Sequence, residues 1–221
     1  MIDEENPAQL IMPGLFIPIA EKTGKILELD RWVIREAITT LARHSKLRAL
    51  AVNLSGRSLA DPSLPQFIED TLGQHRVTPS RLLIEITETT AIGDLQDAGR
   101  FIQALHETGC VTCLDDFGTG FSSFAYLKYL KVDALKIDGL FIRDLPNDPD
   151  NQLFVKSIAD VARGMGKLTV AEFVEDAATL ALLTQFGVDL VQGYFLDHPV
   201  EKHPALQGEN GVLAKVNSRV A

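Results

Sequence analysis

The feature that most constrains this chain is a regular alternation of short apolar runs with amphipathic helical segments. "LRALAVNLS", "RLLIEITE", "VTCLDDFG", "DALKID", "LTVAEFVE" and "DLVQGYFL" read as six strands. Between them lie "LPQFIEDTLGQH", "DLQDAGRFIQALHETG", "FSSFAYLKYL", "NQLFVKSIADVARGMG" and "AATLALLTQFG", which read as helices. Such alternation implies parallel strands joined by crossover helices, in either an open doubly wound sheet or a barrel. Ahead of the first strand, "PGLFIPIAEKTGKILELDRWVIREAITTLARH" carries Leu29, Trp32, Val33, Ala37, Ile38 and Leu41 at helical spacing, as one helix or two joined near Gly24. With 221 residues, 46% of them hydrophobic, the chain is long enough for one sizeable core and is read as a single domain. The stretch after Pro199 has weak periodicity and reads as a linker or frayed end.

The strand ends carry the chemistry. Nearly every run finishes in a polar or ionisable residue: Asn53, Glu85, Asp115 with Asp116, Lys136 with Asp138, Glu172, and Gln192. In parallel α/β folds the C-terminal strand ends form one face, so these distant residues are expected to converge. Two-residue periodicity puts Leu83, Glu85 and Thr87 on one face of their strand, Cys113 with Asp115 on one face of another, and Lys136 with Asp138 on one face of a third. Asp116 falls where the strand gives way to a glycine turn, which leaves its direction open.

A single carboxylate after a strand is most often a helix N-cap, and Glu88 and Asp138 suit that reading. The same reading weakens for a whole rim of carboxylates, which raise one another's pKa unless cations intervene. Hard oxygen ligands of this sort suit Mg²⁺ or Mn²⁺, and adjacent aspartates can each contribute an oxygen to one of two neighbouring ions. A lysine on that rim could orient a water or neutralise a phosphate oxygen.

Other signals narrow the function further. Thirty acidic against twenty-one basic residues give a net charge of −9, which repels nucleic-acid polymers and anionic lipid surfaces. No stretch reaches the roughly 18 unbroken apolar residues of a membrane span, and the acidic N-terminus is unlike a signal peptide, so a cytoplasmic location is expected. Cys110 and Cys113 spell C-x-x-C, but on a strand positions three apart face opposite sides, and ordinary burial is the reading. "GTG" lacks the rest of a nucleotide signature and reads as a loop carrying Asp116. The five histidines, at 44, 75, 106, 198 and 203, show no metal-ligand spacing and read as solvated surface.

Taken together, "FIPIAEKTG", "VNLS", "EITET", "DDFGTGFSSFAYLKYL", "LKIDGLFI", "VAEFVE" and "QGYFLDHP" resemble, in order and spacing, the EAL family of bacterial cyclic di-GMP phosphodiesterases. The match covers nearly the whole chain up to Pro199. The resemblance implies a modified TIM (β/α)8 barrel that hydrolyses cyclic di-GMP to linear pGpG with two Mg²⁺ or Mn²⁺ ions. On the matching positions, Asn53, Glu85, Asp115 and Glu172 look like metal ligands, and Asp116 like the partner on the second metal. Lys136 resembles the family's water-positioning lysine. Gln192 looks like part of the metal and water surroundings, Glu88 like the glutamate that anchors the loop after Asp116, and Asp138 stands with them as a substrate or loop residue. That loop and the following helix resemble the family's dimer contact, which implies a homodimer.

Two departures from the family pattern stand out. "AEFVE" has Phe173 where the commonest pattern has glycine, which is expected to alter packing beside Glu172 but not its carboxylate. The family's Glu-Ala-Leu motif and the arginine after it would precede "DEENPAQL", whereas this chain begins at Met1. The missing glutamate is a metal ligand in the family, so the expectation is about six of eight barrel strands, a sheet left open at both edges, weak or absent turnover by the 221-residue chain itself, and a parent protein with an upstream GGDEF or sensory domain. Two further readings remain: a degenerate EAL domain that binds cyclic di-GMP as a sensor without cleaving it, and another barrel enzyme holding Mg²⁺ at its strand ends.

Overall fold

Gly24 divides the first helical stretch. Its φ of 77° and ψ of −2° lie in the left-handed region that a helix terminus adopts most readily at glycine, so α1 (Pro13–Thr23) ends there and α2 (Ile26–Arg43) begins. The chain, seen in a computed structural model, is described over residues 11–120, 124–200, 203 and 206. Most of the stretch after Pro199 thus lies outside the described residues. Along α2, Ile26, Asp30, Ile34, Ala37, Ile38 and Leu41 form one buried stripe. Trp32, grouped with the apolar stripe by spacing, is 55% exposed, because it projects from the other side of the helix.

From here the expected alternation holds. The elements are β1 (Leu50–Asn53), α3 (Gly56–Leu59), α4 (Leu64–His75), β2 (Leu82–Thr87), α5 (Glu88–Gly93) and α6 (Leu95–Thr108). They continue with β3 (Val111–Phe117), β4 (Ala134–Ile137), α7 (Pro149–Gly164), β5 (Leu168–Ala171), α8 (Ala177–Phe186) and β6 (Leu190–Val191). All six strands pair in parallel in sequence order, β1 to β6, as a half-barrel with its helices outside. Neither β1 nor β6 has a second partner among the described residues, so the sheet is open at both edges, as six strands predict. None of the helices among the described residues is long and apolar enough to cross a membrane.

Each strand sends alternate residues to opposite faces. Ile84, Ile86, Leu114, Leu135, Ile137 and Ala171 are buried in the core shared with the helices. The helices start where side chains satisfy their first amides: Asp94 accepts from Gln96 N and Asp97 N on α6, Asp148 from Asp150 N and Asn151 N on α7, and Asp176 from Thr179 N on α8. At the opposite end of the sheet, a threonine and an aspartate clamp neighbouring strands twice over. Asp133 accepts from Thr112 N at 2.7 Å and from its hydroxyl at 3.1 Å, and Asp189 accepts from Thr169 N and hydroxyl at 2.9 Å each. His106 joins the first clamp at 3.0 Å from Asp133, so it is a half-buried structural partner rather than a solvated surface residue.

One expected α-helix does not form among the described residues. Over "FSSFAYLKYL", residues 121–123 lie outside the description and Phe124–Lys128 form a short 3₁₀ turn. The turn buries Tyr126 and Leu127, and the Tyr126 hydroxyl reaches Glu88, a tertiary demand that overrides the local helical spacing.

Asp30 ties α2 to the end of β1. Its Oδ2 accepts from Ser55 N at 3.1 Å, Ser55 Oγ at 2.6 Å and Ser58 Oγ at 2.6 Å in a site only 6% exposed. Asp30→Ala strands these donors, and the expected loss is about 3 kcal/mol of unfolding free energy with an unchanged denaturant slope, read from urea unfolding.

Candidate active site

The C-terminal ends of the strands bring the polar residues together. Glu85 stands on β2, Asp115 and Asp116 on β3, Lys136 on β4, Glu172 directly after β5, and Gln192 directly after β6. Lys136, 5% exposed, is the hub. Its Nζ lies 3.2 Å from Glu85 Oε2, 3.2 Å from Asp115 Oδ1 and 2.9 Å from Glu172 Oε1. Gln192 Nε2 donates to Glu172 Oε1 at 2.9 Å. Asn53, on β1, stands in register with Glu85 and is exposed at the sheet edge.

The two adjacent aspartates escape strict alternation through a register shift. Pairing between β3 and β4 is regular up to Leu114 and resumes at Phe117, and within the bulge Asp116 adopts φ 54°. The bulge turns Asp116 toward its neighbour. Asp115, Asp116 and Glu172 each offer a carboxylate oxygen, and these oxygens lie within 4.8 Å of one another.

Charge is poorly balanced here. Desolvation, followed by the charges of Asp115, Asp138 and Glu172, raises the Asp116 carboxyl above its ordinary pKa. Desolvation also raises Glu85, against the opposing pull of Lys136. For Lys136 itself, desolvation favours the neutral amine, but the bond to Glu172 and the charges of Glu85 and Asp115 outweigh it and raise its pKa. One ammonium faces several carboxylates. This all-oxygen donor set with surplus negative charge fits hard divalent cations.

Two carboxylates read as possible N-caps behave differently from each other. Asp138 accepts from Leu140 N at 2.7 Å and so caps the turn after β4 while its charge bears on Asp116. Glu88 is not a cap, because the hydroxyl of Thr87 takes that place on α5. It is fully buried and accepts from Gly118 N at 2.9 Å, Gly120 N at 3.3 Å and the Tyr126 hydroxyl. Gly118 must be glycine there: it sits at φ 103°, and a β-carbon would press on Phe141 and Phe154. Spacing alone does not single out Tyr126, which sits in an apolar run. Its phenol in that run was the available clue, since a buried phenol needs a partner.

Both cysteines are buried, and burial pushes both thiols up, so neither is a reactive thiolate. Beside Glu172, a cavity of about 460 Å³ is lined in part by Phe173, Gln192, Tyr194 and His198.

A parallel half-barrel with a carboxylate rim around one buried lysine defines a class of metal-competent α/β domains. Comparison narrows the class: the EAL domain family model matches residues 2–199, and the chain belongs to that family. It is 38% identical over 202 residues to the bifunctional diguanylate cyclase/cyclic di-GMP phosphodiesterase MucR of Pseudomonas aeruginosa, covering 89% of this chain and 29% of the relative. It is 35% identical to the cyclic di-GMP phosphodiesterase PdeF of Escherichia coli, covering 86% and 26%. It thus spans less than a third of either relative's length. Among solved structures, the FimX EAL domain of Pseudomonas aeruginosa bound to c-di-GMP superposes with a TM-score of 0.84 at 36% identity, covering 89% of this chain and 81% of that one.

The charge balance has consequences for the metal-free protein. A carboxyl whose folded pKa is raised holds its proton longer folded than unfolded. Its contribution is therefore fully present below the ordinary carboxylate range near pH 4 and is lost as pH rises through the raised value. Asp116→Asn is expected to flatten this fall relative to wild type, in urea unfolding with EDTA from pH 4 to 8. Lys136→Met leaves buried carboxylates unpaired and is expected to cost about 3 to 5 kcal/mol at neutral pH, and less at pH 4.

Proposed function

We propose that the chain is a cyclic di-GMP phosphodiesterase domain that hydrolyses its substrate to linear pGpG in the bacterial cytoplasm. The observation that carries this reading is the intact rim of Glu85, Asp115, Asp116 and Glu172 around Lys136. The names of the relatives and the cyclic dinucleotide bound to the FimX domain supply the substrate class.

In this reading Asn53, Glu85, Asp115 and Glu172 would hold one divalent ion, and Asp116 would hold the second with a share of that set. Two Mg²⁺ or Mn²⁺ ions supply charge neutralisation of the phosphate and a water of lowered pKa. The protein's own groups do the rest. Lys136 holds three ligand carboxylates in place and orients the attacking water with its ammonium. Gln192 fixes one oxygen of Glu172. Glu88 and Tyr126 hold the loop that follows Asp116, the segment through which a homodimer would form. The water oxygen bonds to phosphorus, the bond to the 3′ oxygen breaks, and that oxygen leaves as a hydroxyl. Because the net charge is −9, an anionic substrate gains its attraction from the cations at the rim.

The test is cyclic di-GMP turnover with Mg²⁺ or Mn²⁺, run on this chain and on a form extended upstream. pGpG production by the extended form is the expected result, and Glu172→Ala in that form is expected to lower it by about 100-fold or more. Binding of the dinucleotide without turnover by either form would instead assign the domain as a sensor.

A further inference from the structure

Phe173 occupies a backbone conformation that an aromatic residue rarely adopts. It directly follows Glu172, and its φ is 52°, in the left-handed region. Such a conformation persists only where the surroundings over-determine it, and these residues cluster at functional sites. What holds Phe173 is visible on two sides. Its ring fills the space over Gly139, where a β-carbon would lie 2.7 Å from Phe173 Cγ and 2.8 Å from Cε2, far inside contact distance. The Arg143 guanidinium carbon stands 4.1 Å from the ring centroid, at cation–π distance.

The location gives this arrangement its meaning. Gly139 follows Asp138 at the end of β4, and Glu172 follows Ala171 at the end of β5. The two strands last touch through Glu172 N and Ile137 O at 3.4 Å, and beyond that point they part. The ring lies against Gly139 at that point, and Phe173 is 39% exposed. The residue before it, Glu172, carries the carboxylate that Lys136 and Gln192 both hold.

We infer that Phe173 is a positioning residue: its ring, seated on Gly139 and covered by Arg143, fixes where the Glu172 carboxylate stands relative to the β3 and β4 rim. This rests on the reading of Glu172 as a metal ligand. Gly139 is the seat because it has no side chain. Its own φ is outside the left-handed region, and the nearest atoms that an alanine β-carbon would meet there are those of the ring.

The pairing supplies its own test. Phe173→Gly removes the ring, Gly139→Ala displaces it, and the double variant has no ring left to displace. Mn²⁺ affinity of the purified chain is measured by electron paramagnetic resonance, alongside kcat and KM for cyclic di-GMP. Each single variant is expected to bind Mn²⁺ about tenfold more weakly and to lose kcat with KM nearly unchanged. The double variant is expected to be no worse than Phe173→Gly, and Phe173→Tyr to keep wild-type affinity. Urea unfolding of every variant shows whether a loss is one of folding. Additive losses in the double variant, or a raised KM at unchanged Mn²⁺ affinity, would overturn the inference. Equal Mn²⁺ binding by all variants would overturn it while leaving the phosphodiesterase reading standing, and absence of Mn²⁺ binding by wild type would remove both.

Discussion

The arrangement depends on one buried ammonium. Lys136 pairs with Glu85, Asp115 and Glu172, and so joins the ends of β2, β3, β4 and β5 in a single electrostatic knot. Burying a lysine is costly unless its charge is met, and burying three carboxylates together costs more. Each side of the knot makes the other tolerable. The balance is incomplete, since Asp116 and Asp138 add negative charge within reach. A site assembled in this way is suited to further cations.

Parallel strands make such a knot possible. Because all six run the same way, their C-terminal ends share one rim, and each crossover helix returns the chain to add the next residue there. The bulge in β3 adds what regular pleating cannot. It lets two consecutive aspartates face the same cluster, and Glu88 and Tyr126 then hold the loop beyond it. Phe173 serves a related purpose two residues past the end of β5, where pairing with β4 ends.

Much of this was legible in the sequence because it follows from period and position. The strand and helix alternation gave the parallel sheet, and the polar strand ends gave Glu85, Asp115, Lys136 and Glu172 as neighbours. What escaped was decided by tertiary contacts. Asp116 could not be oriented without its bulge, which pairing with β4 creates. By position alone Glu88 resembled a cap until Thr87 took that place, whereas the family resemblance pointed it at the loop after Asp116, where Gly118 N and Gly120 N meet it; the helical spacing of "FSSFAYLKYL" yielded to the pull of Tyr126 toward Glu88. The strain at Phe173 likewise needs Gly139, thirty-four positions away in the chain, to be seen.

The most direct measurement of the central claim is an anomalous difference map at the manganese absorption edge, from crystals of the protein grown with Mn²⁺. The account expects density among Asp115, Asp116, Glu172 and Glu85, as two peaks about 4 Å apart. A map without peaks at that rim, with the site held by Lys136 alone, would contradict it.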